Sequence, residues 1–299
     1  MKIAYITYED EGKYTAPVGG DEEGDLLRFL SSKGLSVHKE VWTDPAVRWE
    51  AYDLALLKSP WDYFDKIGSF YAWLDTIRAA GVRLLNPVEV VRWNSDKHYL
   101  ADIAAAGLPV TPTLFLEKDT RPDLTACFDQ FGTDRLIVKP CVSGGSKNTF
   151  ALTREQVAES SPRVEELLKQ EAFMAQPFIE EIRTEGEWSL LFFGGQFSHC
   201  VLKKAKPGDF RVQHYLGGTI HPQVPAADLL AQASAYVEQF AKGCLYARVD
   251  GTLINGRFVL MELELIEPFL FLFTHPESFE NYFRALDRMV LSTVPGPVF

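Results

Sequence analysis

Apolar positions follow two rhythms in the first 87 residues. Short runs that read as strands (KIAYIT at 2–7, LSVHKEV at 35–41, DLALLKS at 53–59, VRLLNP at 82–87) alternate with segments of helical period. EEGDLLRFLSSKG places Leu26, Leu27 and Leu30 on one face and stops at Gly34. KIGSFYAWLDTIRAAG spaces Ile67, Phe70, Tyr71, Leu74 and Ile77 at helical intervals. This β-α-β-β-α-β order predicts a mainly parallel open sheet, whose ligands gather at the carboxyl ends of the strands.

The pattern then changes. NSDKHYLADIAAA (94–106) predicts a helix stopped by Gly107 and Pro109, and RLIVKP (135–140) a strand leading into the loop VSGGSKN and the strand TFAL. Residues 153–170 read as one broken helix or two short ones, followed by extended AFMAQPFI. Two hairpins come next: GEWSLLFF and QFSHCVLKK turn at Gly194–Gly195, and LYARVDGTLI and RFVLMELELIEP turn at Asn255–Gly256. The amphipathic helix PAADLLAQASAYVEQFAKG lies between them. The second half is therefore antiparallel sheet with helices, and the whole is α/β followed by α+β.

Composition narrows the function. With 46% apolar and 24% charged residues over 299 positions, the chain suits two or three subdomains around a cleft. A net charge of −11 without a Lys/Arg run argues against a nucleic-acid partner. No apolar stretch reaches membrane-spanning length, and MKIAYITYEDEG does not read as a signal peptide. Cys127, Cys141, Cys200 and Cys244 lack metal-finger spacing and read as reduced packing thiols. The expectation is a cytoplasmic protein acting on a small molecule, with a homo-oligomer compatible with its size.

The second hairpin carries the strongest chemistry. Glu262 and Glu264 are two apart and share a strand face, and a two-residue turn brings Asp250 close to Met261 or Glu262. Three carboxylates on one patch call for cations, and hard oxygen ligands favour Mg2+, with Mn2+ as a substitute. The competing reading, a solvated acidic face, sits poorly with the apolar Leu260, Met261, Leu263 and Leu265 around them. Arg248, two residues before Asp250, could neutralise phosphoryl oxygens or form a structural salt bridge. In RLIVKPCVSGGSKN, Lys139 and the loop Ser143–Gly144–Gly145–Ser146 could cradle phosphates, although a strand-end lysine beside a hairpin turn is common. In MAQPFIEE, Pro177 frees backbone groups that an adenine edge could use, with Glu180 or Glu187 near ribose hydroxyls; a proline simply ending an edge strand is the alternative. KSPWDYF, at the end of a parallel strand, puts Ser59, Trp61, Asp62 and Tyr63 at a ligand-binding edge or merely covers it with rings.

In this order, these pieces resemble the ATP-grasp superfamily over residues 94–268, preceded by the α/β domain usual in it. The resemblance implies an N-terminal substrate-side domain (1–90), a connector and central lid (91–178) and a catalytic domain (179–299). It implies that Lys97 and Lys139 are nucleotide lysines, that Ser143–Ser146 closes on the phosphates, that Gln176, Pro177, Phe178 and Ile179 form the adenine hinge, and that Glu187 or Glu180 meets the ribose. It further implies phosphate contact by Lys203, a catalytic role for Arg248, and metal binding by Asp250, Glu262 and Glu264. The usual E-x-N metal pair is E-L-E here, which adds a negative charge.

Within the superfamily, KSPWDY, RWNSDKHYL, TEGEWSLLFFGGQFSH and DFRVQHYLGG resemble the RimK/glutathione synthetase-like branch, and the cycloserine synthetase (O-ureidoserine cyclo-ligase) group in particular. The implied activity is ATP-dependent C–N ligation through an acyl phosphate. Arg211 would hold the substrate carboxylate or acyl phosphate, and Ser59, Trp61, Asp62 and Tyr63 would line the substrate pocket, with Asp62 taking an α-amino group. An ATP-grasp small-molecule kinase and a non-catalytic nucleotide-binding module are the alternatives.

Overall fold

A computed structural model describes residues 1–9, 20–145, 147–206 and 217–290. The N-terminal unit runs β1 (Lys2–Thr7), α1 (Glu22–Ser32), β2 (Ser36–Val41), β3 (Leu54–Ser59), α2 (Ile67–Ala79) and β4 (Arg83–Leu85). Its four strands are all parallel, in the order β2-β1-β3-β4. Central β3 is buried at every position, as a parallel strand covered on both faces must be. Asp21 caps α1 by accepting from the Gly24 amide, and Glu22, Glu23 and Asp25 favour the positive helix end.

The connector departs from the expected single helix over 94–106. It forms α3 (Val88–Asn94) and α4 (Tyr99–Ala105), broken at 95–98. Tertiary bonds impose the break. The Asn94 amide side chain donates to Leu263 O (2.8 Å) and accepts from Leu265 N (3.0 Å), while Lys97 N donates to Cys141 O (2.9 Å). These partners lie on other elements, so no local periodicity could reveal them.

The central unit contains β5 (Leu114–Leu116), α5 (Leu124–Phe131), β6 (Arg135–Pro140), β7 (Phe150–Thr153), α6 (Val157–Leu168) and β8 (Phe173–Pro177). Its strands form an antiparallel sheet in the order β5-β8-β6-β7. α6 continues through Pro162 after a short 3-10 turn, settling the ambiguity over 153–170.

The remaining elements are α7 (Glu180–Thr184), β9 (Glu187–Phe193), β10 (Gln196–Lys204), β11 (Thr219–Gln223), α8 (Ala227–Phe240), β12 (Tyr246–Ile254), β13 (Arg257–Glu264) and α9 (Ser278–Val290). The sheet order is β11-β10-β9-β12-β13, antiparallel throughout. Both expected hairpins form. Asn255 and Gly256 take φ of 52° and 77°, the left-handed pair that a two-residue turn matching strand twist requires. One face of this sheet packs on α8 through Leu229, Ala233 and Tyr236. The other shares a core with the N-terminal unit, where Ile3, Tyr5, Leu54 and Leu56 meet Leu191, Phe193, Tyr246 and Leu286. Buried Asn86, just past β4, ties the two together: it donates to Tyr246 O (2.9 Å) and Leu265 O (2.7 Å) and accepts from Leu245 N (2.7 Å).

Candidate active site

The β12–β13 register pairs Asp250 with Glu262 and Arg248 with Glu264, with an irregularity just beyond Asp250. The expected carboxylate patch therefore exists, and it is enclosed. Asp250 is only 3% exposed and accepts from Ser189 Oγ (2.6 Å) and from Arg248 Nε and Nη2 (3.0 and 2.8 Å), with Lys203 Nζ at 3.2 Å. Arg248 also pairs with Glu264, and its Nη1 donates to Phe269 O (3.0 Å). Lys203 holds Glu187 as well. Lys97 bridges the Glu262 carboxylate (3.0 Å) and the Ser143 carbonyl (2.7 Å), joining β13 to the glycine loop.

Burial and charge push these groups apart. Burial alone would raise the Asp250 carboxyl, but Arg248, Lys203 and their hydrogen bonds overcome it and hold it down at about 2. Glu262 is also lowered, because Lys97 and Lys139 outweigh its burial. Glu264 goes the other way: burial, with Asp250 and Glu262 nearby, outweighs Arg248 and lifts it to about 7. Burial likewise raises Glu187 against the pull of Lys203.

Lys139 differs from the other cations. It projects from β6, burial depresses its pKa, and among the described residues it has no hydrogen bond or ion pair. A buried lysine left so beside a glycine loop would be stabilised by an anion.

The glycine loop faces the N-terminal unit. A Cβ at Gly144 would lie 2.5 Å from Phe64 Cε1, so only glycine allows this approach. Lys147 Nζ reaches Asp65 Oδ1 at 2.5 Å from the same loop. Ser143 is buried and Gly145 has φ of 60°. Ser146 and Arg211 lie outside the described residues.

Around Pro177, buried Gln176 donates to Thr113 Oγ1 (2.9 Å), and Phe178 N donates to Arg135 O (2.9 Å). Ile179 and Ile182 pack with Ala205, Ile254 and Met261, giving an apolar patch beside Pro177. The two ribose candidates separate: Glu180 is exposed and engaged by Arg135 (3.0 Å) and Arg183 (2.7 Å), whereas Glu187 faces the cage through Lys203.

Of the KSPWDYF residues, Ser59 and Tyr63 are buried, and Trp61 donates from Nε1 to Glu267 O (3.1 Å). Asp62 accepts from Trp42 Nε1 (2.7 Å) and pairs with Lys66 (2.7 Å), so each of its oxygens already has a donor. That arrangement orders the turn.

Several residues at this seam escaped the sequence reading. Lys58 is buried inside β3, donates to Pro268 O (2.9 Å) and lies 3.4 Å from Glu22, whose carboxylate accepts from Leu270 N and Leu272 N. Glu267, three residues beyond β13, is a further carboxyl beside the cage, raised to about 8 by burial and then by Glu264. The alternation that picks out Glu262 and Glu264 breaks before it, so no periodic signal marked it.

The donor set can be tested against a metal. Three carboxylates on one two-strand patch are hard oxygen ligands of the kind Mg2+ takes. Their oxygens do not cluster as tightly as those of Asp96, His98 and Cys141, whose ligand atoms lie within 4.8 Å of one another. A looser set fits Mg2+, which uses one or two carboxylates and completes its shell with phosphate and water. The Asp96–His98–Cys141 group is accounted for by the His98 bonds to Asp96 (2.6 Å) and Glu117 (3.3 Å) and by its stacking on Phe115.

Comparison with known proteins identifies the fold. The family model for the N-terminal domain of the D-cycloserine synthetase DcsG matches residues 3–86. The cycloserine biosynthesis protein DcsG of Streptomyces lavendulae is 29% identical over 268 residues, 82% of this chain and 86% of that protein. The crystal structure of D-cycloserine synthetase DcsG superposes with a TM-score of 0.83 at 26% identity, covering 97% of this chain and all of that one. The chain has the ATP-grasp fold. D-alanine–D-alanine ligase from Bacillus anthracis complexed with ATP shares the fold, with a TM-score of 0.68 at 16% identity, covering 98% of this chain and 97% of that one. Among the described residues, no helix is long and apolar enough to cross a membrane.

Proposed function

We propose that the cage around Asp250 binds MgATP and that this ATP-grasp enzyme is a carboxylate–amine ligase acting on a small amino-acid substrate. The carrying observation is that Lys97, Lys139, Lys203 and Arg248, drawn from separate elements, surround the β12–β13 carboxylates, with Lys139 lacking a partner among the described residues. Its relatives supply the class: one is a D-cycloserine synthetase and another a D-alanine–D-alanine ligase. The finer reading is an intramolecular cyclo-ligase of the cycloserine synthetase type.

In such a reaction a substrate carboxylate oxygen bonds to the γ-phosphorus of ATP as the bond to ADP breaks. An amine of the same or a second molecule then attacks the acyl carbon, phosphate departs, and the amine loses its proton. The protein's work is positioning and charge neutralisation. Lys139 and Lys97 meet phosphate oxygens from the β6 end and the connector, and Lys203 does so from β10. Arg248, held flat by Asp250, Glu264 and the Phe269 carbonyl, presents its guanidinium toward the transferred group. Asp250, Glu262 and Glu264 would hold Mg2+, which offsets triphosphate charge. The adenine ring would lie on the Ile179–Met261 patch, with Glu187 at the ribose. Arg211 would hold the substrate carboxylate. Residues 1–90, 91–178 and 179–299 act as substrate-side, lid and catalytic units, and the Phe64–Gly144 contact keeps water from the acyl phosphate.

The test is phosphate release from MgATP across a panel of small amino acids that includes O-ureidoserine and dipeptide-forming pairs. Release that requires an amino acid, with formation of an amide, is expected. Accumulation of a stable phosphoester would replace the ligase with a kinase.

A further inference from the structure

Glu267 sits where the catalytic sheet meets the N-terminal unit. Leu265 is buried in the core beneath α8, and Ile266 in the aromatic core of the N-terminal unit. The backbone just beyond is clamped: Trp61 Nε1 donates to Glu267 O (3.1 Å) and Lys58 Nζ to Pro268 O (2.9 Å). The Glu267 side chain therefore leaves a fixed backbone at the seam between the expected substrate side and the phosphate cage.

Every other carboxyl there has a cation. Asp250 has Arg248 and Lys203, Glu262 has Lys97, Glu264 has Arg248, and Glu187 has Lys203. Glu267, half-buried, makes no hydrogen bond or ion pair through its carboxyl among the described residues, although Glu264, Lys97, Glu262 and Arg248 all act on it electrostatically and it acts on the Tyr63 phenol. A carboxyl set among other carboxyls without a donor of its own is unfavourable until a cation arrives.

We propose that Glu267 receives the ammonium group of the amino-acid substrate. The assignment rests on the ligase reading of the site and places ammonium recognition on Glu267, which has no donor of its own among the described residues, where Asp62 already has Trp42 and Lys66. The ligand class is an α-amino acid with a free ammonium group, and the contact selects it over the corresponding carboxylic acid without one.

The experiment compares wild type with Glu267→Gln, which keeps shape and removes charge. KM is measured for amino acids, for their des-amino analogues, for ATP and for Mg2+. Calorimetric binding of the same ligands beside a non-hydrolysable ATP analogue provides a readout independent of turnover. Loss of one charge-assisted contact should raise the amino-acid KM and Kd about ten- to hundredfold, leave the KM for ATP unchanged, and remove the preference over des-amino analogues by the same factor. Glu267→Asp should restore part of that preference. An unchanged amino-acid KM, or a rise in the Mg2+ requirement in its place, overturns the assignment. Wild-type protein that neither binds nor turns over any amino acid overturns the ligase reading as well. Amino-acid-dependent turnover indifferent to Glu267→Gln overturns only the assignment.

Discussion

Lys139 and Lys203 point at the same proposed phosphates, yet removing each should affect the nucleotide-free protein in opposite ways. Lys139 stands without an ion-pair partner among the described residues, and burial lowers its pKa. Keeping it charged therefore costs the folded state stability at neutral pH, a cost that fades as pH rises toward the lysine's ordinary 10.5. Lys203 is bound by Glu187 and Asp250, and its pKa is raised despite burial, so its charge stabilises the fold. Lys139→Met should leave nucleotide-free stability unchanged or higher. Lys203→Met, which strips a buried carboxyl of its cation, should cost about 3–5 kcal/mol. Both should weaken ATP binding, Lys139→Met by about 1.5–3 kcal/mol for a lost charge-assisted phosphate contact, or roughly ten- to hundredfold in Kd. Urea denaturation without nucleotide and calorimetry with MgATP analogues at fixed ionic strength separate the two quantities. Normal ATP affinity in Lys139→Met would refute the reasoning, as would a loss of nucleotide-free stability equal to that of Lys203→Met.

Gly144→Ala places a Cβ 2.5 Å from the Phe64 ring and should displace the loop, raising phosphate release relative to amide formation; equal ratios in mutant and wild type would remove the water-exclusion role. Asn86→Ala leaves two buried carbonyls and one amide without partners and should lower stability by about 3 kcal/mol or more, read as a lower urea midpoint at unchanged slope. The acids predict a pH profile for the metal-free protein. Asp250, depressed from 3.8 to about 2, contributes roughly 2 kcal/mol that is fully present above pH 3.8 and is lost as pH falls through 2. Glu264 and Glu267, raised from 4.5 to about 7 and 8, bind protons more tightly when folded, so stability declines as pH rises from 4.5 through those values. Mg2+ should flatten that alkaline decline, and a denaturation series across pH with and without Mg2+ checks both limbs.

What was legible in the sequence was local. Strand alternation and a two-residue Asn255–Gly256 turn suffice to set Asp250 opposite Glu262, because side-chain period and turn length are properties of neighbouring residues. The same reasoning reached the parallel N-terminal sheet, both hairpins and the lysine before the glycine loop. The break between α3 and α4 was hidden, since Asn94 and Lys97 bond to residues on β13 and after β6. So was the fate of Asp62: KSPWDYF names an acid at a strand end, but only packing brings Trp42 against it. Lys58 looks like an ordinary strand residue until Pro268, 210 positions away, accepts its ammonium hydrogen bond. Glu267 belongs to the same class. Its meaning lies in which carboxyls obtain cations and which do not, a distribution decided when three sheets converge, and one that the spacing of residues along the chain does not encode.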